Sequence, residues 1–222
     1  MDYDVLILGG GIVGCAVAYE LSKYNINIAL IEKDNDIAND IYFVNTAVIY
    51  DGSETSDNIM SNLEYLGQKL VQQQCKKFSI PYNKVGSIQI GDAEFENNKL
   101  KDMYNVALQR GISGVRKIDE DEIYRIEPNL RRGIKKALYS ENTAVIPPYD
   151  LATSYAEIAA DNGVSFRFEE VVIDIKKISN GFKITTNKNK FTCKFVVNTI
   201  PEQLFLDRRE ELKSKDKNKK MT

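Results

Sequence analysis

The feature that constrains this chain most is Gly9-Gly10-Gly11-Ile12-Val13-Gly14, set between the apolar run Val5-Leu6-Ile7-Leu8 and the stretch Cys15 to Leu21. A continuous apolar run that stops at glycine reads as a strand buried on both faces of a parallel sheet. The period then becomes helical, with Ala16 and Ala18 small enough for the helix to lie close to the sheet. A second apolar run, Ile26 to Ile31, completes a β-α-β unit of about the ~30 residues such a unit needs. Parallel strands joined through a helix commit the front of the chain to an α/β architecture.

The glycine spacing, Gly9-x-Gly11-x-x-Gly14, gives each residue a task. Gly9 permits the tight turn off the strand, Gly11 lets a pyrophosphate approach the backbone without meeting a Cβ, and Gly14 allows close helix-to-strand packing. Unpaired N–H groups and the positive end of the helix dipole supply the counter-charge. Glu32 ends the second run, close to the ~20-residue distance at which an acid grips ribose hydroxyls. A carboxylate there repels a 2′-phosphate, which disfavours NADP. The plainer alternative is a glycine turn without ligand and a solvated strand end.

Composition narrows the rest. At 222 residues with 43% apolar content the chain can bury a core as one large or two small domains. A net charge of −2 gives no general pull toward nucleic acid or anionic membrane, so neither is expected as a partner. The acidic start MDYD and the lack of any apolar run near the ~18 residues of a spanning helix point to a cytoplasmic chain without an integral membrane segment. Cys15, Cys75 and Cys193 are far apart and read as core residues, with no metal site indicated. Histidine is absent, which removes imidazole from any catalytic scheme and leaves carboxylates, Lys, Tyr or a bound cofactor.

Further along, Ile59 to Phe78 reads as an amphipathic helix with Leu63, Leu66, Leu70 and Val71 on one side. A strand at Ser87–Ile90 and a helix over about Glu96 to Arg110 follow. Asp119 to Glu122 reads as a helix start rather than a metal site. After the Pro147-Pro148 break comes a helix from about Asp150, its N-cap, to Asn162, stopped by Gly163. Val164–Phe168 is a strand, and VVIDIKKI, GFKITTNK and KFTCKFVVNTI form a β-meander. The charged end, residues 204–222, reads as a disordered tail.

With these segments in order, the chain resembles the FAD-dependent oxidoreductases of the D-amino-acid oxidase superfamily, nearest to the glycerol-3-phosphate dehydrogenase and 2-hydroxyglutarate oxidase branch. The resemblance runs from Asp4 to about Asn198 and is carried by YDVLILGGGIVGCAVAYELSKY, IALIEK, FSIPYNKVGSIQI, IEPNL, ALYSENTAVIPPYDL, NGVSFRFEEVVIDI and FVVNT. It implies a Rossmann-like FAD-binding domain of glutathione-reductase type, with parallel sheet, helices and meander, over 1–79 and 148–203, interrupted by a partial substrate or cap domain over 80–147. It also implies FAD as cofactor. Gly9, Gly11, Ile12, Val13 and Gly14 fall on the pyrophosphate loop, Glu32 and Lys33 on the ribose-binding strand end, Val172 on a strand facing the adenine, and Asn45 on a second flavin-contacting segment. For Val172 and Asn45 a packed strand residue and a loop amide are equal alternatives. No segment matches a catalytic residue.

The chain also departs from the family pattern. Asn39-Asp40-Ile41-Tyr42 replaces a small-residue stretch, Ala47 stands where the family has glycine, Tyr50 where it has histidine, and Thr199-Ile200-Pro201 where it has Ala-Ala-Gly. The family continues well past the point where this chain stops. The expected function is therefore an FAD-dependent oxidoreductase-like protein acting on a small hydroxy acid, polyol phosphate or amine, truncated and impaired. The alternative is a non-catalytic nucleotide- or partner-binding remnant or subunit. A third form of the idea, one half of a split enzyme completed by another polypeptide, requires an exposed apolar surface.

Overall fold

The computed structural model describes residues 1–39, 45–53, 58–91 and 94–200. They divide into two compact units, one of Met1–Asn45 with Pro148–Thr222 and one of Thr46–Pro147.

The first unit opens with β1 (Tyr3–Leu8), α1 (Ile12–Leu21) and β2 (Ile28–Ile31). Both strands are buried over their apolar cores, as a parallel sheet covered on two sides requires. The second unit carries β3 (Val48–Ile49), α2 (Asn58–Phe78), β4 (Asn83–Lys84), β5 (Ser87–Ile90), α3 (Glu94–Gln109), β6 (Val115–Asp119), α4 (Glu120–Ile126), β7 (Lys136–Ser140) and β8 (Ala144–Val145). The chain then returns with α5 (Pro148–Asp161), β9 (Ser165–Arg167), β10 (Val172–Ile178), β11 (Gly181–Thr186) and β12 (Lys190–Asn198).

The returning strands join the sheet of the first unit in the order β10-β11-β12-β1-β2-β9. β12, β1, β2 and β9 run parallel, whereas β10, β11 and β12 are antiparallel neighbours, so the meander of the sequence reading is present. β12 serves both halves. Its Lys190–Cys193 portion pairs with β11, Cys193 also faces Tyr3, and the remainder runs beside β1 to Asn198.

Alternation along β1 divides the core. Val5 and Ile7 point to the face covered by Val17, Ala18 and Leu21 of α1 and Ala159 of α5. Leu6 and Leu8 point to the other, where Val172, Ile184, Phe191 and Cys193 close over them. Each fully buried Leu or Ile of this kind contributes about 1.5–3 kcal/mol. Cys15, Cys75 and Cys193 are buried and unpaired with one another, the core role the sequence indicated.

One detail differs from the sequence reading. α5 begins at Pro148, so Asp150 lies in its first turn and does not cap it. Proline is pre-set for the first helical position, where its missing N–H costs nothing. α5 stops where expected: Gly163 takes φ +96, and Gly163 and Val164 donate to the carbonyls of Ala160 and Ala159.

The second unit has two three-stranded sheets, β3-β8-β4 and β5-β7-β6. α3 packs on the latter through Leu100, Met103 and Ala107. Asp119 caps α4, its carboxylate accepting the Glu122 N–H at 3.0 Å while Arg116 pairs with Glu122. The acidic cluster is thus a helix start. Among the described residues no helix is long and apolar enough to cross a membrane.

Candidate functional site

The site grows from the point where β1 turns into α1. Gly9 sits at φ +102, continuing the sheet by donating its N–H to the Ile31 carbonyl at 2.9 Å. Gly14 is fixed by packing: a Cβ on it would lie 1.9 Å from the Gly9 carbonyl oxygen. Gly11 is the opposite case, since a Cβ there would meet no atom of the described residues within 4 Å. Gly11 is exposed, so among the described residues nothing blocks a ligand from reaching its backbone.

Gly11 is also the N-cap of α1, in extended geometry and with no side-chain cap. The first turn carries no acidic residue. Helix starts leave N–H groups without intrahelical partners, and the positive end of the helix dipole favours an anion there. Ile12 and Val13 supply this turn, and Val13 is exposed.

Glu32 closes the other side. It is only 8% exposed, its Oε2 accepting the Gly10 N–H at 2.5 Å and its Oε1 the Asp34 N–H at 3.0 Å. A carboxylate offers about four acceptor positions, and these two bonds fix its orientation. The strand end is held from behind by the chain leaving β9, with Glu170 N–H donating to the Glu32 carbonyl and Glu169 N–H to that of Asp34, each at 2.8 Å. Lys33 forms an ion pair with Asp34.

Three further contacts shape the loop, none of them signalled by the motif. Ala38 N–H donates to the Gly10 carbonyl at 2.9 Å, the Cys15 thiol reaches that same oxygen, and Thr199 Oγ1 donates to the Leu8 carbonyl at 2.8 Å. Burial, reinforced by Glu32 and Asp36, pushes the Cys15 thiol up to about 12, so it is inert packing rather than a nucleophile. Thr199 and Ile200 also stand against Gly9, where a Cβ would come within 2.8 Å of Thr199 Oγ1 and 3.2 Å of Ile200 Cγ1.

The structure therefore brings Gly9, Gly10, Gly11, Ile12, Val13, Gly14, Glu32 and Lys33 to one strand-helix junction. Val172 is buried at the start of β10, two residues after the Glu170 that holds the Glu32 backbone. Asn45 is exposed. Of the residues that depart from the family pattern, Asp40, Ile41, Tyr42 and Pro201 lie outside the described residues. Ala47 is held at φ +64, a conformation glycine adopts without cost. Among the described residues no cluster of metal-ligating side chains occurs.

A scan of family models matches residues 4–200 to the FAD dependent oxidoreductase family. The chain belongs to that family. Its relatives include a glycerol 3-phosphate dehydrogenase of Caloramator mitchellensis, 34% identical over 88% of this chain and 41% of the relative. Another is the mitochondrial L-2-hydroxyglutarate dehydrogenase of Pongo abelii, 30% identical over 79% of this chain and 42% of the relative. Among solved structures, the L-alpha-glycerophosphate oxidase of Mycoplasma pneumoniae with FAD bound superposes with a TM-score of 0.76 at 28% identity, over 87% of this chain and 52% of the oxidase. The chain thus spans about half the length of the relatives it matches. The family is FAD-dependent, and the open backbone at Gly11 with the carboxylate of Glu32 fits the diphosphate and ribose of that cofactor.

Proposed function

We propose that this chain is the dinucleotide-holding portion of a flavoenzyme that oxidises a small hydroxy acid, polyol phosphate or amine. Gly9, Gly11, Ile12, Val13 and Gly14 receive the pyrophosphate of FAD on backbone N–H groups. Glu32, steadied by Gly10 and Asp34, accepts from the adenosine ribose, and Lys33 sits beside it as part of the same strand end. Val172 offers its backbone to the adenine, and Asn45 its amide to the flavin side. When bound, the flavin supplies the redox step by accepting a hydride from substrate carbon; the residues named here bind and orient the cofactor.

The observation that carries this reading is the pairing of an unfilled space at Gly11 with a buried, doubly hydrogen-bonded Glu32. The functional division follows the same logic, with residues 1–79 and 148–203 as the cofactor-binding domain and 80–147 as a partial substrate domain.

A second reading rests on Ile200, whose side chain stands 3.2 Å from the position a Gly9 Cβ would take. Bulk beside the loop favours retention of the adenylate end over the flavin end. In that case the chain is a nucleotide- or partner-binding subunit, impaired on its own and completed by a further polypeptide.

Titration with FAD, NAD, ADP-ribose and AMP, followed by thermal stability and visible absorbance, separates the two. Stabilisation by FAD above that by ADP-ribose, with a bound flavin spectrum, supports the first reading. Equal stabilisation by both supports the second, and no response to any of them removes the site.

A further inference from the structure

Helix α2 turns a stripe of large apolar side chains outward. Its inward face, toward the rest of the second unit, mixes polar and apolar groups. Ser61 and Cys75 are fully buried, Ser61 Oγ donates to the Gly52 carbonyl, Gln68 Nε2 donates to the Asn142 carbonyl at 2.8 Å, and Tyr65 lies against the Leu100–Leu138 cluster. Its apolar residues point out: Ile59, Leu63, Leu66 and Leu70 are 72%, 58%, 56% and 57% exposed. At about 100° per residue these four fall in one narrow stripe, with Ser61, Gln68 and Cys75 on the opposite side. The 59-63-66-70 spacing alternates four and three, the seam that a facing helix fills.

Resting on the reading above, in which a further polypeptide completes the fold, we propose that this stripe of α2 is the docking face for a helix from the part of the relatives' length that this chain does not span. The chain covers 41% of the Caloramator mitchellensis dehydrogenase and 52% of the Mycoplasma pneumoniae oxidase. A substantial length of polypeptide is thus available as occupant in either relative. A second copy of the chain fits less well. Four side chains of one helix fall short of the ~20–30 residues a side that hold a stable dimer, whereas a longer segment that also covers other surfaces needs only part of its contact here.

The test is co-expression of the tagged chain with the untagged remainder of the Caloramator mitchellensis dehydrogenase, reading co-purification and hydrogen exchange over α2. The expected result is capture with slowed exchange between Ile59 and Leu70, reduced at least tenfold by Leu63→Glu with Leu66→Glu and unchanged by Gln72→Glu. All three positions are exposed, and circular dichroism checks that the variants fold. Capture insensitive to the double variant, or no capture by a folded chain, overturns the proposal. So does a concentration-dependent dimer of the chain alone that Leu66→Glu dissolves, which assigns the stripe to a second copy. FAD response is recorded in parallel with Gly11→Val as its control. A chain that responds to FAD and captures nothing loses only the docking face, whereas capture without any FAD response counts against the cofactor site instead.

Discussion

Glu32 reaches back 22 residues along the chain to accept the Gly10 N–H at 2.5 Å, so the acid that ends β2 also shapes the loop that opens α1. One side chain thereby couples the two halves of the cofactor cradle. A hydrogen bond to a charged group contributes about 1.5–3 kcal/mol. Glu32→Gln keeps the shape while removing the charge and one of the two acceptor oxygens. FAD affinity falls about tenfold, which corresponds to ~1.4 kcal/mol, with a smaller loss of thermal stability. Isothermal titration of the two proteins checks this; equal affinities remove Glu32 from the binding set.

Gly11 and Gly14 look alike in the sequence and respond oppositely to substitution. Gly11→Ala places a methyl in empty space, so the fold keeps its melting temperature while FAD loses its approach to the backbone. Gly14→Ala drives a Cβ to 1.9 Å from the Gly9 carbonyl oxygen, and α1 must move off the sheet. Overpacking of this kind costs about 1–3 kcal/mol or more. Thermal melts with and without FAD separate the pair: the first variant melts normally and ignores FAD, the second melts early.

Ala47 carries strain that one substitution relieves. At φ +64 its Cβ crowds the following carbonyl, a cost of roughly 1–2 kcal/mol for an L-residue. Glycine at this position removes that strain and returns part of the gain as unfolded-chain entropy. Ala47→Gly therefore stabilises the second unit by about 0.5–1 kcal/mol, seen as a higher urea midpoint. A lower midpoint would show that the side chain contributes more than its backbone costs.

The first unit was legible because its signals are local. The apolar run of β1, the glycine spacing and the acid at the end of β2 each follow from a residue's own chemistry, and the meander announces itself by turn residues between alternating runs. What the sequence did not disclose depends on long-range geometry. Thr199 looks like the residue after a strand until its hydroxyl is found on the Leu8 carbonyl. The stripe on α2 shows amphipathicity but not direction: periodicity says that Leu63, Leu66 and Leu70 share a face, and only the packing of Ser61, Tyr65 and Gln68 says that this face points outward. β3, β4 and β8 are two residues each, too short for any alternation to register.

Asp51 is the clearest of these hidden residues. It is completely buried, yet among the described residues its hydrogen-bond partners are all uncharged. Its carboxylate accepts from Ser53 Oγ and N–H, Ser140 Oγ at 2.6 Å and Asn142 Nδ2 at 3.1 Å. Burial alone would raise its pKa, but the bonds from Ser140, Ser53 and Asn142 outweigh that and hold the carboxyl below its ordinary value. A group whose pKa is depressed on folding contributes stability that is complete above the unfolded value and is lost as pH falls through the folded one. The loop that Asp51 ties to the end of β7 thus weakens only in strongly acidic solution. Asp51→Asn presents an N–H₂ group to donors that need an acceptor and costs about 2–4 kcal/mol at neutral pH. Hydrogen exchange at the Ser53 and Asn142 amides reads this directly. The gap between wild type and variant is full at neutral pH and narrows only below the ordinary carboxylate range, as the wild-type carboxyl takes up its proton; a gap independent of pH would mean that Asp51 acts through shape rather than charge.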